Sequence, residues 1–350
     1  MRTSTRPDTR IGRTRDAGHR PTRLVVICPV YNEEQNIAFF FDRIKAVLEQ
    51  LAPAEYSYRL VFTNNRSTDG TLRLLEQLRH AHDWVGYLTL SRNHGYQLSV
   101  LSGLASVRAD LYMICDVDCE DPPELLHEFL ARIRAGSDLA YGMRNNRQDS
   151  WLIGKCRSLF YHALRALGDF RIVPYMAEFA MFTRAVRDVV VSGQNSAPFL
   201  RAEYGYAGFE IVGVPYRREA RRFGKTHYNF YGNFRFALAG MLASTTFPLR
   251  AVFYALPAVC LLMLALGAAF AADVISADAA LISIVSLNAV YMSGAVAFLS
   301  IYLARTYHNG IGRKRFIVDR TRSALPHRDS VTRRTDAGEE RLLGPATSSI

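Results

Sequence analysis

From residue 24 onward, short runs of apolar residues alternate with longer segments in which apolar residues recur every three or four positions. Continuous apolar runs suit strands buried on both faces, and the longer period suits helices with one buried side. Their alternation predicts βαβ units around a largely parallel sheet, an α/β class of domain. Residues 24–29 predict the first strand, and Ile37, Phe40, Phe41, Ile44, Val47, Leu48 and Leu51 form the apolar stripe of the helix after it. Further strands are predicted over 58–63, 85–90, 111–115 and 138–142, with helices over 71–81, 97–107 and 122–134. Past residue 248 the pattern changes: 251–272 and 279–304 are apolar, free of internal charge and long enough to cross a bilayer, which predicts two transmembrane helices. Pro257 inside the first is tolerable where the freed carbonyl finds another partner.

The chain thus divides into a tail (1–23), an α/β domain (24–228), a juxtamembrane segment of interfacial helices (229–248), two spans (249–304) and a basic segment with a second tail (305–350). The first 23 residues carry seven arginines and almost no large apolar residue, so they lack the core of a signal peptide and are expected to be a disordered basic tail, with a transit peptide as the alternative. Residues 319–350 are mixed in charge, without periodicity, and are also expected to be disordered.

The net charge of +11 is concentrated at the N-terminus, over 217–225 and beside the spans, which points to phosphate groups or anionic lipid and not to a continuous nucleic-acid stripe. Arg250 precedes the first span, Arg305, Arg313, Lys314 and Arg315 follow the second, and the turn between them carries Asp273 and Asp278. Positive residues stay inside, so the α/β domain and both termini are expected to face the cytoplasm. Cys28, Cys115, Cys119, Cys156 and Cys260 show neither a paired framework nor zinc-ligand spacing and read as thiols in a reducing compartment. Gly294 among small residues in the second span permits close packing between copies and leaves a homo-oligomer open.

Open α/β sheets bind ligands beyond the carboxyl ends of their strands. The residues expected there are polar: Tyr31, Asn32 and Glu33 after the first strand, 64–69 after the second, Arg92 and Asn93 after the third, and 116–121 after the fourth. Asp116-Val117-Asp118, followed by Glu120, Asp121 and Pro122-Pro123, is the strongest local signal. Two carboxylates one residue apart can hold a hard divalent cation and leave positions for diphosphate oxygens, although acidic turns and helix caps have the same composition.

Five segments together resemble the family 2 glycosyltransferases of GT-A (Rossmann-like) fold, in particular those similar to dolichyl-phosphate mannose synthase and the bactoprenol-phosphate glucosyltransferases. They are Pro29-Val30-Tyr31-Asn32-Glu33-Glu34, Ser67-Thr68-Asp69-Gly70-Thr71, Ser91-Arg92-Asn93-His94-Gly95, residues 116–124 from Asp116 to Glu124, and Arg221-Arg222-Phe223-Gly224-Lys225 with Tyr228. The resemblance implies an inverting transfer of a sugar from a UDP- or GDP-sugar to polyprenyl phosphate, with Mg2+ or Mn2+ held by Asp118 and Asp116. It places Pro29, Tyr31, Glu33, Asn64, Asn65, Asp69, Arg92 and Asp116 around the nucleotide sugar, and Arg144, Arg147, Arg221 and Lys225 at the acceptor phosphate. The catalytic set it implies is Asp116, Asp118, Glu178, Arg221 and Lys225. For Arg217 and Arg218 a headgroup-binding patch is an equal alternative.

The sequence departs from this family twice. Asn64-Asn65-Arg66-Ser67 stands where Asp-Asp-Gly-Ser is usual, and Ala177-Glu178-Phe179-Ala180 where Gly-Asp-Phe-Arg is usual. Donor sugar and base are therefore left open. An inactive membrane scaffold is the alternative function; a processive synthase fits less well, because two spans are too few for a channel and no Gln-x-x-Arg-Trp motif is present.

Overall fold

In the computed structural model, which describes residues 20–144, 176–220 and 245–326, the chain folds around one mixed sheet with helices on both faces. The strands are β1 (Thr22–Val30), β2 (Tyr56–Asn64), β3 (Val85–Leu90), β4 (Leu111–Ile114), β5 (Leu139–Arg144), β6 (Met176–Thr183), β7 (Ile211–Tyr216) and β8 (Val318–Ala324), in the order β7-β5-β6-β4-β1-β2-β3-β8. The helices are α1 (Glu34–Glu49), α2 (Thr71–Ala81), α3 (Tyr96–Ser106), α4 (Leu126–Arg134), α5 (Arg184–Ser192), α6 (Leu200–Ala207), α7 (Phe247–Ala271) and α8 (Ala277–Gly310). A short 3-10 turn, Pro123–Leu125, leads into α4, with proline at its start where a missing N–H costs nothing.

Alternation along β1 explains why its sequence is apolar throughout. Leu24, Val26 and Cys28 pack with Ile37, Phe40 and Ile44 of α1 and Phe129 of α4. Val25 and Ile27 face the other way, into a cluster with Val100 and Leu104 of α3, Val186 of α5 and Tyr204 of α6. A strand covered on both faces has no polar side to show. On the second face the approach is close: a Cβ at Gly103 would lie 2.7 Å from Ile27 Cγ2 and 2.8 Å from Thr63 Cγ2, so α3 rests directly on β1 and β2.

The predicted strands and helices up to residue 144 all form, within two residues of their expected ends except that the helix expected from 122 opens as the 3-10 turn and α4 itself begins at Leu126. Three expectations need correction. The sheet is less parallel than the pattern implied, because β6 runs antiparallel to β4 and β5, and β8 antiparallel to β3. The tail expected from 319 onward begins instead with a strand: residues 318–324 add to β3, Ser91 N donates to Ile317 O at 2.9 Å and Thr89 N to Ser323 Oγ at 2.8 Å. Its sequence concealed this because edge strands are commonly charged, and Asp319, Arg320 and Arg322 give it no apolar run. The first tail also ends sooner, since β1 already starts at Thr22.

α7 and α8 have mean hydropathies of 2.2 and 1.8 over their most apolar windows, and those windows are not buried against the rest of the chain. Phe253 is 71 % exposed, Leu264 70 % and Val290 73 %, an apolar surface that water would not support. At 34 residues α8 is on the order of 50 Å long, against about 30 Å for a bilayer's hydrocarbon core, so it is long enough to project beyond one. Its last turn touches the α/β domain, where Asn309 Oδ1 accepts from Ser196 N at 2.9 Å.

Because α3 packs so closely, we expect Gly103→Val to destabilise the protein by about 1–3 kcal/mol. Thermal unfolding in detergent measures it; an unchanged midpoint would mean that α3 can lift from the sheet at no cost.

Candidate active site

The strand order reverses at β1. The α1 connection carries the chain to β2 on one side and α3 returns it to β4 on the other, with the two helices on opposite faces. Such a switch point opens a crevice at the carboxyl ends of the two strands. Here pairing between β1 and β4 ends at Ile27 and Ile114, with a last bond from Cys115 N to Ile27 O at 3.1 Å. Pro29 is the next residue of β1 to face that side, and β4 has already left, so its lack of an N–H interrupts no ladder. Three non-glycine residues with positive φ lie at this end of the sheet: Asn32 (56°) after β1, Arg66 (64°) after β2 and Cys119 (54°) after β4. Strain of this kind gathers at ligand sites.

The acids after β4 differ in how they are neutralised. Asp121, 2 % exposed, accepts from Arg144 Nη2 at 3.0 Å and from the Tyr216 hydroxyl, with Arg218 Nε 3.7 Å away. Glu120 pairs with Arg218 as well. Burial opposes the Arg144 charge, but Asp121 and Tyr216 outweigh it and hold the guanidinium protonated. Asp116 has no such cation among the described residues. Its Oδ1 accepts the Tyr96 hydroxyl at 2.9 Å, while burial, then the charges of Asp118 and Asp121, push its carboxyl up to about 8. Burial and Asp116 in turn keep the Tyr96 phenol protonated, well above its usual range. Asp118 accepts only the backbone N of Glu120, at 3.2 Å, among the described residues.

The loops after β1 and β2 brace one another at the same end of the sheet. Asn32 Oδ1 accepts from Thr68 N at 2.8 Å, Glu33 N donates to Thr71 Oγ1 at 3.0 Å, and Glu33 Oε2 accepts from Asn36 at 2.6 Å. Asp69 accepts from Thr71 N at 3.0 Å and from Glu34 N at 3.2 Å; burial raises its pKa, but these bonds outweigh it and hold the carboxyl below its usual value. Asn64 and Asn65 are 1 % and 4 % exposed. Asn64 accepts from Ser67 N and donates to Thr89; Asn65 donates to Asn93 and accepts from His94 N. Both amides are therefore occupied within the loops, while Tyr31 and Arg92 are exposed.

On the other side stands Glu178 of β6, whose Oε1 accepts from Gln97 Nε2 at 3.1 Å and Arg201 Nε at 2.9 Å. Nothing in the pattern of residues singled out Gln97, Arg201 or Tyr216 in advance. Tyr96 and Gln97 directly follow a motif that ends at Gly95, whereas Arg201 and Tyr216 lie on α6 and β7, elements whose apolar pattern is too short to stand out. Arg218 was open between phosphate and headgroup roles; it lies over the acid loop, where Glu219 N also donates to Glu120 O at 2.8 Å. Arg147, Arg221 and Lys225, and the interfacial segment up to residue 244, fall outside the described residues.

Residues 25–189 match the family described as Glycosyl transferase family 2. The chain carries a family 2 glycosyltransferase domain. It is similar to an uncharacterized glycosyltransferase of Synechocystis, 28 % identical over 302 residues that cover 84 % of this chain and 94 % of the relative. It is also similar to a prophage bactoprenol glucosyl transferase homolog of Escherichia coli, 27 % identical over 308 residues, 86 % of this chain and 99 % of the relative. Among solved structures, mannosyl-3-phosphoglycerate synthase from Rubrobacter xylanophilus shares 18 % identity at a TM-score of 0.44, covering 63 % of this chain and 72 % of that one. At that distance the likeness bears on neither site nor substrate. The sheet and its helices are the GT-A fold of this glycosyltransferase family.

Within the glycosyltransferase domain the acids fall into two kinds. Asp121 is an interior tie that joins β5 and β7 to the acid loop, whereas Asp116 and Asp118 keep carboxylate oxygens available at the crevice. Among the described residues no cluster of three or more His, Cys, Asp or Glu side chains stands in metal-binding geometry. Two carboxyl groups without a cationic partner among the described residues, one of them pushed up by its acidic neighbours, nonetheless suit a divalent cation that draws its other ligands from a diphosphate.

Removing a buried ion pair's partner typically costs about 3–5 kcal/mol. We therefore expect Asp121→Asn, which strands Arg144, to lower the unfolding midpoint sharply, and Asp118→Asn to stay within about 0.5 kcal/mol of the parent, as substitutions without such a partner do. Calorimetry of both variants checks the division; equal losses would refute it.

Proposed function

We propose that this glycosyltransferase moves a sugar from a nucleotide diphosphate sugar to polyprenyl phosphate at the cytoplasmic face of a membrane crossed by α7 and α8. The observation that carries this reading is the length of the match to the bactoprenol glucosyl transferase homolog: 99 % of that relative is covered, catalytic domain and apolar helices together. A lipid-linked acceptor gives a reason for joining a sugar-transfer domain directly to two helices of membrane-spanning length. The basic residues Arg250, Arg305, Arg313, Lys314 and Arg315 flank those helices at the ends nearest the domain, in keeping with a cytoplasmic site.

Chemically, the acceptor needs little help. A polyprenyl phosphate is already an anion near neutral pH, so its oxygen can attack the anomeric carbon without a base. The new C–O bond forms as the bond to the nucleoside diphosphate breaks, and a single in-line displacement inverts the centre. The domain's work is to align the two substrates and to stabilise the departing diphosphate. Asp118, assisted by Asp116, would hold Mg2+ or Mn2+, which when bound neutralises developing charge on that leaving group. Tyr31, Glu33, Asp69 and Arg92 surround the nucleotide, with Asn64 and Asn65 shaping the wall. Arg221 and Lys225, with Arg147, meet the phosphates; guanidinium groups stay charged and bind phosphate oxygens in pairs. Arg144 can join them only with the N–H groups not used on Asp121 and Tyr216. An inactive scaffold has no physical need for two carboxylates left outside ion pairs at a switch point, which weighs against that alternative.

The test is transfer of radiolabel from a panel of UDP- and GDP-sugars into organic-extractable lipid by the purified protein, with polyprenyl phosphate and Mg2+ or Mn2+. Label in the lipid, lost with a chelator, is the expected result; none from any donor would favour the scaffold. In the same assay Asp118→Asn should lower kcat by at least about 100-fold, the scale of losing a group that stabilises transition-state charge. Arg221→Ala should raise the KM for lipid phosphate more than that for the donor, and the reverse would assign that arginine to the nucleotide.

A further inference from the structure

Glu178 is 7 % exposed, and its carboxylate is held from one side only. Both described donors, Gln97 Nε2 at 3.1 Å and Arg201 Nε at 2.9 Å, converge on Oε1, while Oε2 is buried without a hydrogen-bond partner. One turn beyond Arg201 on α6, the Tyr204 hydroxyl is likewise buried and unpartnered, its ring packed on Phe182 of β6 with centroids 5.4 Å apart. Gln97 also accepts from Leu200 N at 3.0 Å, so the first turns of α3 and α6 and the middle of β6 are fastened together around this carboxylate. Its neighbour Tyr96 makes the bond to Asp116 at 2.9 Å, which sets Glu178 beside the Asp116-x-Asp118 loop.

A buried carboxylate oxygen without a donor is rare in folded proteins and calls for a partner that the described residues do not provide. Charge restricts what that partner is. An ionised carboxylate only accepts hydrogen bonds, so it repels the phosphates of donor and acceptor and attracts a hydroxyl. Of the substrates in the reaction proposed above, the part beside the acid loop that is rich in hydroxyls is the sugar being transferred.

We propose that Glu178 Oε2 accepts a hydrogen bond from a hydroxyl of the transferred sugar, with Arg201 and Gln97 as positioning residues that hold the opposite oxygen and so fix the direction in which Oε2 points. This rests on the glycosyl-transfer reading and deepens it, by assigning sugar recognition to a group on β6 and its control to a helix beyond the acid loop. It also gives the departure at residues 177–180 a consequence: a glutamate reaches one methylene further than an aspartate, so the hydroxyl it meets lies further from the strand.

The test uses the full-length protein in nanodiscs and compares its affinity for the productive nucleotide sugar with that for the corresponding nucleoside diphosphate, by calorimetry without acceptor. Glu178→Gln and Arg201→Met should each weaken the nucleotide sugar on the order of tenfold, the scale of one hydrogen bond to a charged group, and leave the nucleoside diphosphate within about twofold. Arg201→Lys, which retains the charge, should recover part of the loss. Donors lacking one sugar hydroxyl at a time should include one whose disadvantage against the full sugar disappears in Glu178→Gln. Equal weakening of nucleotide sugar and nucleoside diphosphate would overturn the proposal and place Glu178 on the nucleotide or its cation. A change confined to the KM for lipid phosphate would overturn it in favour of the acceptor. If Arg201→Met does not fold, Arg201→Lys and the nearly isosteric Glu178→Gln decide. Because binding is measured without acceptor, absence of transfer to lipid would defeat the glycolipid reading and leave this result standing.

Discussion

Negative charge gathered at the carboxyl end of β4, and its unequal neutralisation, is the constraint around which the rest of the domain is arranged. Asp121 is satisfied from three directions, and each partner arrives from elsewhere in the chain: Arg144 from the end of β5, Tyr216 from the end of β7, and Arg218 from the segment after it. A carboxylate this buried would be costly alone, so these contacts fix where β5 and β7 end relative to the acid loop. Arg43 of α1 extends the arrangement, binding Glu124 at 2.6 Å and Glu219 at 2.7 Å, so that the chain after β7 is held across the loop. Among the described residues Asp116 has only a phenol for a partner and Asp118 only a backbone N–H. The described scaffold thus neutralises its structural acid and not the two beside it, which places a demand for positive charge at one point of the crevice.

The apolar helices are not an appendage tied on by a loose linker. From the last turn of α8 onward the chain meets the α/β domain at three described places: Asn309 against Ser196, Arg315 Nη2 against Val191 O at 2.7 Å, and β8 along β3. A strand added to a sheet edge carries a ladder of backbone bonds and moves with the sheet as one body. The position of the crevice relative to the end of α8 is thereby fixed by β8 and by these contacts. For an acceptor whose reactive phosphate sits at headgroup depth, that rigidity is useful, because alignment of the reacting atoms is where such a domain gains its rate.

How much of this could be read in advance follows from which interactions carry it. The strands and helices up to β5 were legible because each buries a continuous or periodic apolar pattern, as in β1 and α1, and the acid loop was legible because Asp116-x-Asp118 follows such a strand directly. β6 through β7 were not, since Met176–Thr183 carries Glu178 within its apolar run and Ile211–Tyr216 is interrupted by Gly213 and Pro215. β8 was hidden by its charges. The amides of Asn64 and Asn65 show another limit, because sequence shows which polar residues follow a strand and not whether their amides are already occupied by neighbours. Arg201 shows the same limit from the other side: it lies 23 residues from its partner Glu178, and no spacing rule connects a helix to a strand across that distance.

The turn after β2 shows why the family's usual residues do not simply carry over. Arg66 stands where a glycine is usual, at φ 64°, a conformation that costs a residue with a side chain roughly 1–2 kcal/mol. Its described ion pair, Nη1 to Asp319 Oδ2 at 3.3 Å, joins two partly exposed groups, and such pairs return little. The exchange does not balance locally, so the turn holds its shape because its surroundings impose it. Asn64 accepts from Ser67 N at 2.9 Å across the turn, Asn65 N donates to Val30 O at 2.9 Å, and Ser67 Oγ accepts from Asn32 N at 3.0 Å. An aspartate at position 64 would keep the bond from Ser67 but lose the donation to Thr89, and would bury a charge at a site only 1 % exposed. The amides and the arginine are thus one change: neutral side chains grip the turn from inside, tightly enough that a strained arginine can stand at its tip and reach the strand that returns from α8.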